Sequence, residues 1–280
     1  LTLGAAWSAY DGLHFGTLPY LNIQFAPERF RYYDNDALKK EMNSYVKWER
    51  KLTKQFRSFI DLQYRYVSHQ MNGFTKNTNL EIERKFNFFN PKMGLTYQVS
   101  AGTSAFLSYS IGNKEPNRSD FVDNPGKAPQ AETLRDLEAG FKTQKGKVAF
   151  EANAYWMDYK NQLVLTGKLN DVGTPIRINV PSSYRMGLEL QAGAQLTKAL
   201  KWNVNATLSS NKINNFTEVV PSYDEPYIDV ENKFAKTDIA FSPNVIGGSQ
   251  LLYTPTKGLE LGLLSKYVGK QYMDNTSNEN

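Results

Sequence analysis

The sequence predicts an all-β chain folded as an antiparallel transmembrane β-barrel, and three observations predict it. Segments that alternate apolar and polar residues run through the 280 residues. Short turns and long connections alternate strictly between them. The turns fall near 52–55, 99–103, 142–146, 196–200 and 255–258, and the long connections near 11–38, 69–86, 113–131, 161–176 and 211–236. No apolar run approaches the roughly 20 residues of a membrane helix, so spanning has to be done by strands. A barrel in an outer membrane has one rim of short periplasmic turns and one of long extracellular loops. A soluble sandwich has no reason to sort its connections by end.

Residues 56–66 read most clearly. Phe56, Ser58, Ile60, Leu62, Tyr64 and Tyr66 share one face, and Arg57, Asp61, Gln63 and Arg65 the other, with Phe59 the apolar exception. That period of two over about ten residues matches a tilted membrane strand. The same alternation recurs at 148–156, where Val148, Phe150, Ala152, Ala154 and Trp156 oppose Glu151, Asn153 and Tyr155. At 186–192, Met186, Leu188, Leu190 and Ala192 oppose Gly187, Glu189 and Gln191. At 202–208, Trp202, Val204, Ala206 and Leu208 oppose Asn203, Asn205 and Thr207. Weaker strands are expected at 1–10, 39–51, 88–98, 104–112, 132–142, 237–254 and 259–270, which brings the number to about eleven. The apolar faces, Leu62 and Leu208 among them, are expected to meet lipid, and Gln63 and Asn205 the lumen.

Composition agrees. Hydrophobic residues make up 40% of the chain and mean hydropathy is −0.54. That average suits strands with every second residue toward a polar lumen. Aromatics reach 13%, with 17 Tyr and 16 Phe, which suits strands and interfacial girdles. There is no cysteine, so disulfides, thiolate metal sites and Cys nucleophiles are excluded. The net charge of +5 is scattered rather than gathered into a basic block with interleaved aromatics, so nucleic acid is not the expected partner. The sequence opens directly in a strand-like run at Leu1 and stops in a polar stretch, Asn275-Thr276-Ser277-Asn278-Glu279-Asn280. Single-chain bacterial barrels close with an even number of strands, and an open edge in lipid leaves unpaired N–H and C=O groups. Residues 1–280 are therefore expected to be part of a longer barrel.

The stretch 105–141 carries a more specific pattern. The run AFLSYSIGNKEPNRSDF is followed by NPGKAPQAETLRDLEAGF, with Tyr109, Pro116, Phe121, Glu132, Glu138 and Gly140 at the telling positions. This resembles the C-terminal barrel of TonB-dependent outer-membrane receptors, in the flavour of the Bacteroidetes group. Gln130-Ala131-Glu132 stands where that family often has Lys-Pro-Glu. The element Tyr184, Arg185, Gly187 and Glu189 within 155–193, and the strand that follows at 200–218, look similar to the same family.

The resemblance implies about eleven strands of a probable 22-stranded barrel, with the plug domain, the early strands and the final strands outside residues 1–280. It implies a bacterial outer-membrane location and a function in active uptake of a scarce ligand, first among them a ferric siderophore. Haem, cobalamin or a glycan are the alternatives within the family, and a passive porin or other outer-membrane barrel the alternative outside it. The implied partners are the TonB complex, reached through the plug, and the lipid of the outer membrane. No cofactor is expected.

Candidate ligand contacts are Tyr10, His14, Arg29, Arg31 and Arg118. Arg29 and Arg31 lie in the long connection 10–38 among Phe15, Tyr20, Phe25, Phe30, Tyr32 and Tyr33. Aromatic faces with guanidinium groups suit an anionic ligand with apolar parts, while packing of the aromatics on one another is the structural alternative. Arg118 has Glu115 and Asp120 close in sequence, so pairing with them competes with a ligand carboxylate. His14 and His69 are the only histidines and are the side chains suited to an axial haem position. The carboxylates of 223–231 read as a solvated acidic loop, lacking the spacing of a calcium loop. No G-x-S-x-G, H-E-x-x-H or P-loop is present, so no enzyme is expected.

Overall fold

A computed structural model describes residues 1–18, 30–74, 77–122, 128–169, 175–220, 222, 225 and 228–279. Among them are twelve strands and one short helix. The strands are β1 (Thr2–Leu18), β2 (Phe30–Lys51), β3 (Phe56–Phe74), β4 (Asn77–Ser100), β5 (Thr103–Lys114) and β6 (Glu132–Lys145). They continue as β7 (Val148–Leu169), β8 (Pro175–Gln195), β9 (Leu200–Val220), β10 (Val230–Asp238), β11 (Val245–Thr256) and β12 (Leu259–Val268). The helix, α1 (Arg118–Val122), lies between β5 and β6. All strands join one antiparallel sheet in chain order, with β1 and β12 at its edges, so the barrel is partial rather than closed.

The expected strand 237–254 is two pieces. β10 pairs with the upper half of β9, from Val230↔Val220 to Asp238↔Lys212, and β11 with the lower half, from Val245↔Leu208 to Tyr253↔Leu200. The two occupy one place in the sheet, which leaves eleven staves from twelve strands. The segment between them leaves the ladder, with Phe241 at φ 53°.

The expected long loops are mostly strand. β2 runs for 22 residues and β4 for 24, twice what a membrane crossing needs. β3 and β4 stay paired up to Phe74↔Asn77. Alternation is imposed by the contrast of lipid and lumen. Above the membrane the outer face meets water and the apolar side chains turn inward, so the lipid-facing stripe stops while the backbone ladder continues. Two asparagines reset the phase there. Asn161 (φ 58°) and Asn215 (φ 55°) adopt the left-handed conformation that Asn tolerates better than most residues. Inward positions on β7 are odd up to Tyr159, after which Val164 and Thr166 are the buried ones. On β9 they pass from Asn211 and Ile213 to Phe216.

The faces follow the expected alternation. Ile60, Leu62, Met93, Leu107, Leu137, Phe150, Trp156, Leu188, Trp202 and Leu208 are exposed on the outer side. The belt on β7 covers 148–156. Nine residues at about 3.4 Å, tilted by ~40°, span about 23 Å, close to the ~25 Å apolar band of an outer-membrane barrel. Its far edge is marked on the same side by polar pairs, Tyr64 donating to Asn87 Oδ1 at 2.6 Å and Arg135 paired with Asp158 at 3.3 Å. Phe59, the exception, faces the lumen and lies across Gly94, its direct cross-strand neighbour.

Phe106 covers Gly140 and Tyr155 covers Gly187 in the same way. The glycines of the two sequence elements that resemble receptor barrels are thus seats for aromatic rings. A Cβ on Gly187 would also stand 2.6 Å from the Leu208 carbonyl oxygen. Gly187→Val is expected to cost about 1–3 kcal/mol by overpacking, read as a lower temperature for loss of the compact band in heat-modifiability electrophoresis. An unchanged transition would show that the ring and strand move aside freely.

Two apolar clusters sit on the inner side beyond the membrane belt. Ala37, Met71, Phe74 and Phe121 form one, with Leu80, Ile82 and Phe86 packed against it. Val164, Val180, Ile213, Phe216 and Ile239 form the other, with Phe234. Each fully buried large side chain contributes roughly 1.5–3 kcal/mol, so the far part of the barrel is held by its own packing where lipid no longer confines it.

Candidate ligand-facing site in the upper lumen

The first part of the connection from β5 to β6, residues 115–121, folds inward and docks on the inner face of β2–β4. Its first residue beyond β5, Glu115, is buried and is the hub of an ion cluster. Lys39 Nζ lies 2.7 Å from Glu115 Oε1, and Arg65 donates from Nη1 at 2.7 Å and Nη2 at 2.9 Å to the two Glu115 oxygens. The same guanidinium grips Glu41 through Nε at 2.7 Å and Nη2 at 3.2 Å. Lys39, Glu41 and Arg65 all occupy inward positions of the β2–β3 ladder, which is why side chains 50 and 76 residues from Glu115 in sequence meet it. Arg forks suit such paired carboxylates because the geometry is bidentate on both sides.

Residues 116–121 are fastened as well. Pro116 is fully buried. Asp120 accepts the Asn117 amide at 2.7 Å and pairs with Arg177 of β8 at 2.8 Å. Phe121 enters the cluster of Ala37, Met71 and Phe74. Arg118 donates through Nη2 to the Gly73 carbonyl at 3.0 Å, and its guanidinium lies 4.5 Å above the Phe74 ring.

The expected pairing of Arg118 with Glu115 and Asp120 is not formed. Folding brings each carboxylate to a cation on another strand, closer in space than the neighbour in sequence.

Burial pushes the Glu115 carboxyl up, but hydrogen bonds from Arg65 and Lys39 outweigh it and bring it down to about 2. The folded value lies below the reference 4.5, so the stabilisation is fully present above pH 4.5 and is lost as pH falls toward 2. Protection of the 117–122 amides, measured as the exchange rate relative to the intrinsic rate at each pH, is expected to fall across that interval and to be flat above it. A loss of protection starting near neutral pH would place the anchor elsewhere.

The candidate contacts separate into two groups. Tyr10 and His14 are on the inward face of β1, at the level of Lys39 and Asn35 of β2. Tyr10 is 58% exposed, its ring turned over Gly12, and His14 is half-buried. Arg31 stands on the other face, paired with Asp34 at 2.7 Å and stacked 4.0 Å over Phe15. Tyr32 packs edge-on against Tyr33 at 4.9 Å. Phe15, Tyr32 and Tyr33 of this ribbon thus pack on one another or on Arg31. Arg29 lies outside the described residues, as do Tyr20, Phe25 and Asp224.

His69 is buried on the inward face of β3 opposite Lys39, four residues along the ladder from the level of His14. Burial and then the Lys39 charge lower its pKa, so the ring is neutral at pH 7. The two histidines do not share a site. Sequence reasoning placed Arg65 on the lumen face but missed its union with Glu41, Lys39 and Glu115. The inward alternation of those strands was the available signal.

Below this segment the lumen wall is polar and carries open troughs. One of about 440 Å³ is lined by Asp61, Gln63, Asn90 and Lys92, among others. Another of about 360 Å³ includes Glu138, Asn153, Arg185 and Glu189. Such a wall can hold a polar body through many hydrogen bonds. Among the described residues no three His, Asp or Glu side chains gather as a metal site.

Comparison with known proteins places this architecture. The family model for the TonB dependent receptor-like β-barrel matches residues 1–280. No curated protein matches the sequence. Among solved structures, the ferric-catecholate import receptor Fiu of E. coli K12 superposes with a TM-score of 0.65 at 15% identity, covering 95% of this chain and 41% of that one. The ferric yersiniabactin uptake receptor FyuA of Yersinia pestis gives 0.66 at 15%, covering 99% and 40%. The copper transporter OprC gives 0.71 at 14%, covering 97% and 41%. The chain therefore spans about two fifths of the length of the structures it matches. At these identities the likeness establishes the fold, while the family match extends over the whole chain. The short turns are the periplasmic rim, the extended strands and α1 lie toward the outside, and the chain belongs to the TonB-dependent receptor β-barrel family of the bacterial outer membrane.

Proposed function

We propose that residues 1–280 form part of a receptor barrel that takes up a ferric siderophore, with import energised through the TonB complex. The observation that carries this reading is the fold match over nearly the whole chain to receptors described as importing ferric catecholate and ferric yersiniabactin. The match covers two fifths of those chains, so a plug and the remaining strands belong to the proposal. The chemistry of the wall supports a chelate over a bare ion. Cysteine is absent, and the described residues gather no metal-ligand cluster. Recognition would then run through the organic periphery of the complex, with Tyr10 and His14 facing it and Arg29 as a further candidate. The Glu115 cluster and Arg118 hold the wall in shape beneath them, a positioning role rather than a contact.

Uptake of radiolabelled iron from a panel of ferric siderophores, in iron-limited cells with and without the gene, tests the reading. Loss of uptake for one chelator class is expected. The likeness to a copper transporter motivates a parallel arm. Copper, haem or glycan uptake falling while every ferric siderophore is taken up normally would defeat the proposal.

A further inference from the structure

The lipid side of the barrel carries a groove outside the lumen wall. Between β3 and β6, toward the periplasmic rim, the outer surface dips into a groove of about 290 Å³. Ile60, Met93, Leu95, Leu107 and Leu137 line it, and Ser58 lies toward the rim. Ser58 is the small residue between Phe56 and Ile60 on the outer face, which leaves the depression. Its hydroxyl is buried and has no hydrogen-bond partner among the described residues.

Arg50 is the direct cross-strand neighbour of Ser58, so its side chain leaves the sheet on the same outer side. Lys54 follows in the adjoining turn, and both are exposed. The nearby carboxylate Glu49 is held by Lys47 at 2.7 Å. An apolar groove within the lipid belt thus ends, at the membrane interface, beside two exposed cations, Arg50 and Lys54.

We propose that this groove seats one acyl chain of an anionic phospholipid of the periplasmic leaflet, with its phosphate on Arg50. The guanidinium fork matches phosphate oxygens in pairs. The Lys54 stem brings a second charge to the headgroup level. Basic clusters at a membrane interface select anionic over zwitterionic lipid. Among the described residues no carboxylate lines the groove to hold the ammonium of phosphatidylethanolamine. Other turns, such as that bearing Lys257, carry cations but do not adjoin the groove.

The test is native mass spectrometry of the full-length receptor released from mixed dioleoylphosphatidylglycerol and dioleoylphosphatidylethanolamine membranes. Preferential retention of phosphatidylglycerol is expected for the wild type. Arg50→Gln with Lys54→Gln should lower that retention roughly tenfold. Ser58→Leu, which fills the groove and keeps the charges, should lower it too. Lys257→Gln should leave it unchanged. Heat-modifiability of each variant confirms that the barrel is folded, and if one groove variant fails to fold the other still decides between the outcomes. Three results would overturn the proposal. The first is wild-type retention in the folded groove variants. The second is an equal loss in Lys257→Gln, which would mean diffuse rim charge. The third is displacement of the lipid by glycerol phosphate, which would mean that the acyl groove contributes nothing.

Discussion

Arg65→Leu is expected to unfasten the inward-folded segment and to cost about 3–5 kcal/mol, the range for breaking a buried pair from one side. The substitution removes four hydrogen bonds at once, two to Glu41 and two to Glu115. It leaves two carboxylates facing each other on the inner wall with Lys39 as the remaining cation at Glu115. Glu115 is 8% exposed at its side chain, so water cannot take the place of the guanidinium without opening the segment. Phe121 would lose its fixed position against Met71 and Phe74, and the far rim would loosen. Arg65→Lys should fall between, since one ammonium cannot replace a fork that bonds both partners. Urea unfolding in detergent gives the stability, and limited proteolysis within 115–122 gives the local opening. If Arg65→Leu costs no more than an ordinary surface substitution, the cluster merely decorates the wall.

Leu190→Arg is the second large effect. Leu190 stands between Ala152 and Ala206 on the outer face, midway along the apolar belt of β8. An arginine at the midplane of a barrel costs about 2–4 kcal/mol. Gln191→Arg, one residue on, points to the lumen beside Glu151 and Asn205 and should change stability little. Reversible unfolding in lipid vesicles compares the two. Similar costs for both would undo the assignment of faces, because the difference rests only on which side of one strand meets lipid.

The membrane part of this fold was legible because lipid and lumen impose opposite chemistry on successive residues. Val148 to Trp156 shows that contrast over the whole belt, and the ladder to β8 confirms it residue by residue. The far part was not legible for the same reason. Residues 69–86 read as a loop because the lipid-facing apolar stripe stops there and Met71, Phe74 and Ile82 turn inward, yet Arg84 and Lys85 pair with His69 and Ser68 in a continuous ladder. Asn161 and Asn215 then shift the inward phase, which no window of period two anticipates. Glycines of the receptor-like elements were visible as letters, but their use as seats for Phe106 and Tyr155 needed the cross-strand register.

The sequence by itself determined the fold class, the two faces of the spanning strands, the sorting of short turns to one rim and the resemblance to a receptor barrel. These are local properties, set by neighbours two residues apart and by turn length. Only the tertiary structure decided which charges meet. Glu115 reaches Arg65 and Lys39, Asp120 reaches Arg177, and Arg118 reaches Gly73 and Phe74. Tyr10 and His14 share the inner face from which Arg31 is turned away. An ion pair in a barrel is chosen by register across strands and by how a loop folds inward, and neither distance is written along the chain.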